Sequence, residues 1–356
     1  MERRRGKCRN QKQQWKALPR KQTITKLLQT IWEGETAVVG SPAEIHSVGH
    51  RVVHGGPDFE EPTLITPETK SAIAKAAPFA PLQNRAELEG MEIAGGLFPA
   101  ASQVAVFDTG FHKTMPLAAA VYPGPYEWLS AGIRRYGFHG INHQYCSERA
   151  AELLRREPAT LRLVSCHLGG GCSLAAIRGG KSVDTTMGFT PLEGLMMGTR
   201  SGSVDPGILI YLMRQPNASI DRLDDVLNRK SGLFGISGIS DDMRQVLAAV
   251  RAGNAQAILA FDIYIHRLRS AIGSMVAVLD GIDALIFTAG VGENSSEVRA
   301  GACEGLRHIG LQIDPGKNGS AVPDLDIALP GSSVRVLVIA AQEDWQIAKA
   351  CRRLTE

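Results

Sequence analysis

The chain predicts an α/β fold, with sheets flanked by helices, and three observations carry that prediction. Short apolar runs, QVAVF at 103, LRLVSC at 161, ALIF at 284 and VRVLVIAA at 334, lead into Asp108, His167, Thr288 and Gln342. Stretches of helical period lie between them; from Asn254 to Leu279, apolar residues fall at 258, 259, 261, 265, 268, 272, 275, 276 and 279. The 38 glycines gather at 169–171, 194–202, 232–238 and 290–292, as loops shaped around a ligand would require.

In order along the chain, TITKLLQTIWEGE reads as a short amphipathic helix. A strand runs from Ile45 into HRVVHGG, and its pleat puts His50, Val52 and His54 on one face and Arg51 and Val53 on the other. Residues 67–99 read as a helix in two pieces, broken by Pro78 and Pro81. QVAVFDTGFH is an apolar strand ending in Asp108, and HQYCSERAAELLRR is a helix. LRLVSCHLGGGCSLAAIRGGKSVDTT gives strand, glycine turn, strand, turn, strand. SGISDDMR caps a helix through Ser240 or Asp241. DALIFTAGVGENSSEVR is a buried strand, a glycine turn and a helix start, and the terminal helix follows Gln342.

Composition removes several function classes. Aromatics are only 6%, too few for a single-strand stacking platform. Nine Lys/Arg against Glu2 crowd residues 1–21, so the net charge of +3 belongs to a basic arm on an acidic body. That arm reads as an unstructured tail rather than a nucleic-acid site. Six scattered cysteines without a CxxC pair suit a reducing compartment, hence the cytoplasm. No apolar run is long enough to span a membrane. GGKS at 179 is no Walker loop, because Ala175 stands where the first glycine belongs. His139 and His143 have zinc-ligand spacing, but Gly140 and Ile141 are not a zincin helix.

Ligands bind beyond the carboxyl ends of strands in α/β sheets. Asp108, His167, Gly290–Asn294 and Glu343 stand there, while Arg200 lies in MGFTPLEGLMMGTRSGSVDP and His139 in RRYGFHGINH. HLGGG offers free backbone N–H groups to an anion, and TAGVGENSSEV offers a helix N-terminus. Two arginines, a histidine and two carboxylates suit phosphoryl transfer, in which a protein mainly positions groups and supplies positive charge. A carboxylate acceptor is already nucleophilic, so no strong general base is needed.

GHRVVHGG, VFDTGFH, RRYGFHGINH, HLGGGCS, GFTPLEGLMMGTRSGSVDP, KSGLFGISGISDDMR and FTAGVGENSSEVR together resemble the acetate kinases, in family order from about residue 24 onward. The resemblance implies a two-domain ASKHA fold (the actin, Hsp70 and sugar-kinase class). It divides the chain into a basic tail (1–23), a first, incomplete domain (24–110 plus 342–356) and a nucleotide-binding second domain (111–341). It also implies a homodimer that transfers phosphate reversibly between ATP and acetate with Mg2+ or Mn2+. Matched position by position, Arg51 and Arg200 resemble the pair that holds the carboxylate and phosphoryl group, and His139 the transition-state histidine. Asp108 and Glu343 resemble the acids that organise the metal. Val53, Leu82, Phe138 and Pro191 match the methyl pocket. His167, Gly169, Gly170 and Gly171 match the phosphate hairpin, and Asp242, Met243, Arg244, Gly290, Val291, Gly292 and Asn294 the nucleotide contacts. Three departures stand out: residues 1–21 have no counterpart of the family's opening strand and Ser-rich phosphate turn, PLQNR replaces Pro-Leu-His-Asn-Pro, and Gly170 replaces an asparagine. The alternatives are a propionate kinase, or a nucleotide-binding relative impaired in catalysis for want of that turn.

Overall fold

The computed structural model describes residues 18–77 and 81–356, the side chains of 81–83 excepted. The Leu82 assignment and most of the basic tail therefore lie outside the described residues. Helix α1, Arg20–Gln29, begins inside the segment assigned to the tail. Strand β1 (Ser47–Val52) stops one residue before Val53, short of the run to His54 expected from the sequence. Strand β2 (Thr63–Leu64) leads to α2 (Pro67–Lys75), whose cap is Thr66 accepting from the Thr69 N–H with proline in the first turn. Helix α3 spans Pro81–Leu97, and β3 spans Ser102–Phe107.

These three strands form one sheet in the order β1-β3-β2, with β1 and β3 parallel and β2 antiparallel to β3. Helix α4, Gly140–Leu154, leads to β4 (Arg162–Leu168), β5 (Cys172–Arg178) and β6 (Lys181–Thr185), an antiparallel meander. Helices α5 (Pro206–Met213), α6 (Ile220–Arg229), α7 (Met243–Arg251) and α8 (Ala255–Leu279) follow. Strand β7, Ala284–Thr288, runs straight into α9 (Ala289–Asn294), then α10 (Ser296–Cys303). The expected glycine turn at 290–292 is thus the body of a short helix. Ala289 makes the change of direction instead, at φ 64°. Strands β8 (Leu325–Asp326) and β9 (Arg335–Val338) and helix α11 (Glu343–Thr355) end the chain.

The second sheet runs β6-β5-β4-β7-β9-β8. Its β7-β9-β8 part repeats the parallel-then-antiparallel pattern of β1-β3-β2. The edge of β7 equivalent to the outer edge of β1 carries β4, whereas no strand among the described residues pairs with β1 there. Both faces of β4 are covered. Val164, Cys166 and Leu168 join a core with Leu268, Ile272 and Met275 of α8, and Leu163 joins Cys146, Ala150 and Ala151 of α4. Helix α8 buries Ala257, Ala260, Tyr264, Leu268, Ile272, Met275 and Leu279 at helical spacing, and Asn254 caps it by accepting from the Ala257 N–H.

Candidate active site

The parallel strands β1, β3, β4, β7 and β9 all deliver their carboxyl ends to one cleft, and local chemistry decides what each presents. Arg51 is the penultimate residue of β1. Its Nε donates to both oxygens of Asp108 at 3.1 Å, its Nη2 to Asp108 Oδ2 at 2.6 Å, and its Nη1 to Glu343 Oε2 at 3.0 Å. Burial alone would lower the Arg51 pKa, but the two carboxylates outweigh it and the net direction is up, so the guanidinium stays charged. Asp108 directly follows β3, and Glu343 opens α11.

His139 sits at the entry to α4 with φ 57°, an uncommon left-handed conformation for histidine. Gly140 follows because the Asp108 carbonyl approaches where a Cβ would stand; the Gly140 N–H donates to that carbonyl at 2.8 Å. The His139 ring stacks on His167 at 4.0 Å and 10°. Burial first, then His167, Arg51, His143 and Arg200, hold the His139 pKa well below its usual value, so the ring is neutral. Burial likewise lowers His167 to about 3.

Arg200 reaches the same place from the long loop. A Cβ on Gly171 would lie 2.7 Å from Arg200 Nη2 and 3.4 Å from His139 Nε2. Arg200 Nη1 donates to the Pro191 carbonyl at 2.7 Å, and among the described residues no carboxylate pairs with this guanidinium. Burial lowers its pKa. So Arg51 is neutralised by two acids, while the charge of Arg200 remains available to an anion.

Arg51, His139, His167, Gly171, Gly290 and Glu343 line one cavity of about 550 Å³. A second, of about 900 Å³, is lined by Gly169, Gly170, Asp242, Met243, Arg244, Gly290, Val291 and Asn294. Gly290 belongs to both, so the two adjoin. Asp242, not Ser240 or Asp241, caps α7 by accepting from the Arg244 N–H; Ser240 instead accepts from the Asp242 N–H. Gly292 is buried against Phe287 and Leu168, behind Gly290 and Val291. Phe138 is buried in the main core, and Val53 packs against that core.

Sequence reasoning missed three residues here and gave a fourth, Glu293, only within the run Gly290–Asn294. Both oxygens of Glu87, on α3, accept from the Val53 N–H at 3.2 Å. Glu293 lines the smaller cavity and accepts from the Ala341 N–H at 2.9 Å. Asn142 and Ser173 hold the Nδ1 atoms of His167 and His139. Asn142 had a usable signal, since it stands between His139 and His143 in RRYGFHGINH. Glu87 and Ser173 had none.

The sequence model of the Acetokinase family matches residues 3–349. An acetate kinase of Gloeobacter violaceus is 61% identical over 333 residues, covering 93% of this chain and 82% of that protein. The crystal structure of Porphyromonas gingivalis acetate kinase superposes with a TM-score of 0.89 at 38% identity, over 95% of this chain and 85% of that one. A propionate kinase from Francisella tularensis superposes with a TM-score of 0.87 at 38% identity, over 94% of this chain and 84% of that one.

Proposed function

The chain belongs to the acetokinase family, and on that premise we propose that Arg51, Arg200, His139 and His167 surround the phosphoryl group as it passes between ATP and acetate. An acetate carboxylate oxygen attacks the γ-phosphorus in line, the bond to the ADP oxygen breaks, and acetyl phosphate and ADP leave; the reverse reaction retraces the same path. Negative charge spreads over three equatorial oxygens, and fixed positive charge and neutral N–H donors in a buried site stabilise it without reorganising. The observation that carries this reading is the uncompensated Arg200 guanidinium beside His139 and Gly171, across from the twice-paired Arg51.

Acetate would lie with its carboxylate between the arginines and its methyl toward Val53, Leu82, Phe138 and Pro191. Propionate is the second acceptor of the same class, because a pocket discriminates one methylene by only about 1–3 kcal/mol. ATP or ADP would fill the larger cavity, against Asp242, Met243, Arg244, Gly290, Val291 and Asn294, with the hairpin Gly169–Gly171 at the phosphates. A divalent cation fits the acids present. Glu343 lines the smaller cavity and its Oε1 has no hydrogen-bond partner among the described residues, and Asp108 pairs with the other end of the Arg51 guanidinium. Among the described residues no cluster of three or more His, Cys, Asp or Glu could hold a metal. Phosphate and water oxygens would therefore complete the shell, as suits Mg2+. Bound there, the ion would neutralise charge on the nucleotide phosphates.

Helix α5 buries none of its residues, and Ile210 and Tyr211 stand 55% and 64% exposed. A second copy of the chain would cover this face, giving the homodimer. Among the described residues no helix is long and apolar enough to cross a membrane, and five free, buried cysteines suit a reducing cytoplasm. Hydroxylamine trapping of acetyl phosphate, with ATP, magnesium and acetate, tests the reading against an Arg200→Ala control. Product from the native chain alone supports it. ATP binding by calorimetry with no product in either sample would instead favour the impaired nucleotide-binding relative.

A further inference from the structure

A chain of hydrogen bonds runs back from His139 into the protein. His139 Nδ1 lies 2.9 Å from Ser173 Oγ, the same oxygen lies 2.8 Å from His143 Nε2, and His143 Nδ1 lies 2.9 Å from Ser165 Oγ. Ser165, Ser173 and His143 are each 0% exposed. A hydroxyl carries one proton and two lone pairs, and a neutral imidazole one proton, so the bond directions are coupled.

Two arrangements run head to tail; in a third, Ser173 accepts from both rings and its own proton is left without an acceptor among the described residues. In the first, Ser165 donates to His143 Nδ1, His143 Nε2–H donates to Ser173, and Ser173 donates to His139 Nδ1. His139 then carries its proton on Nε2, the nitrogen beside Gly171 and Arg200. In the second, every bond reverses, and His139 turns a lone pair toward the cleft. That reversal leaves the Ser165 hydroxyl proton without an acceptor, since among the described residues Ser165 Oγ has no other hydrogen bond. An unsatisfied buried donor costs about 1–3 kcal/mol, which favours the first arrangement by about 5- to 150-fold. His167 is locked separately in the same sense. Its Nδ1 lies 2.8 Å from Asn142 Nδ2, while the Asn142 oxygen accepts from the Cys146 thiol at 3.7 Å.

We propose that Ser173, backed by His143 and Ser165, is a positioning residue that fixes His139 as the Nε2–H tautomer, so that an uncharged ring donates to the transferring phosphoryl group. Asn142 does the same for His167, and the stacked pair presents two N–H donors between the arginines. The proton stays on its nitrogen throughout: His139 acts as a neutral donor. This rests on the reading of His139 given above.

Ring nitrogen–proton correlation spectra of the full, isotope-labelled chain, taken without substrate, read the tautomers directly. Protonated Nε2 and bare Nδ1 on both His139 and His143 are expected; a protonated Nδ1 on His139 overturns the proposal. In Ser173→Ala both His139 tautomers become populated. Its kcat should fall by the reciprocal of the fraction left with the proton on Nε2, about twofold for equal populations and at most the roughly 100–1,000-fold that losing one transition-state donor costs. The KM values for ATP and acetate should stay near native, and Ser173→Thr should restore kcat. A native kcat in a folded Ser173→Ala variant overturns the proposal too. If that variant fails to fold, the native spectrum still decides. An inactive native chain with the expected spectrum would sink the proposed function and leave this tautomer assignment standing.

Discussion

Replacing Glu87 by glutamine should stabilise the protein, and more so at high pH. Glu87 is a partly buried carboxyl whose pKa burial pushes up to about 7, with the Val53 N–H, Asp108 and Arg51 as lesser influences. A carboxyl raised in the folded state binds more protons than the unfolded chain does between its two pKa values. Its favourable contribution is therefore complete below the unfolded value and is lost as pH rises through about 7. From an unfolded value of 4.5 to about 7, at about 1.4 kcal/mol per unit, burying Glu87 costs roughly 3 kcal/mol at about pH 8.5, where it stays ionised, and roughly 1 kcal/mol at about pH 5.5, where it takes up a proton on folding. The glutamine side chain would remove that cost while its amide oxygen keeps the Val53 N–H bond. Urea unfolding of both proteins at the two pH values measures the difference. An equal effect at both, or a Glu87→Gln variant less stable at the higher pH, would refute the reasoning.

Three further outcomes follow from the same geometry. Gly171→Ala would put a methyl group 2.7 Å from Arg200 Nη2; the guanidinium must move, and steady-state kinetics should show a lower kcat. Arg299, 2% exposed, donates to the Gly292 and Glu293 carbonyls at 2.9 and 2.8 Å and to Asn318 at 2.7 and 2.8 Å. Arg299→Met should cost about 3 kcal/mol in denaturant unfolding, through orphaned acceptors, and raise KM for ATP, because those bonds hold α9 against the larger cavity. Ile210→Glu, on the exposed face of α5, should convert a dimer to a monomer in analytical ultracentrifugation; an unchanged mass would remove α5 from the interface.

Much of the fold was legible because its signals are local. Glycines mark both turns of the β4-β5-β6 meander, and the spacing of α8 repeats along the whole helix without a competing pattern. The failure at Gly290 and Gly292 was not local. Two glycines after a buried strand read as a turn, yet Arg299, beyond the next helix start, satisfies the carbonyls that end α9 and so supports a helix there. The cap of α7 slipped by one residue because Ser240, Asp241 and Asp242 are all competent caps, and only the chain's approach selects Asp242. At the site, strand ends pointed to Asp108, His167, Gly290 and Glu343. That Arg200 meets them depends on a loop whose path no periodicity encodes. Ser173 and Glu87 were invisible because their importance lies wholly in a partner distant in sequence, His139 for one and Val53 for the other.

The central claim is that Arg51 and Arg200 act as a unit on one phosphoryl group. A double-mutant cycle on kcat for acetyl phosphate formation, comparing Arg51→Ala, Arg200→Ala and the pair, tests it most directly. If they act together, the double variant should be little slower than the worse single one, because groups that work jointly in a transition state are strongly non-additive. Losses that simply multiply would mean that the two guanidinium groups serve separate ends, and would contradict the account.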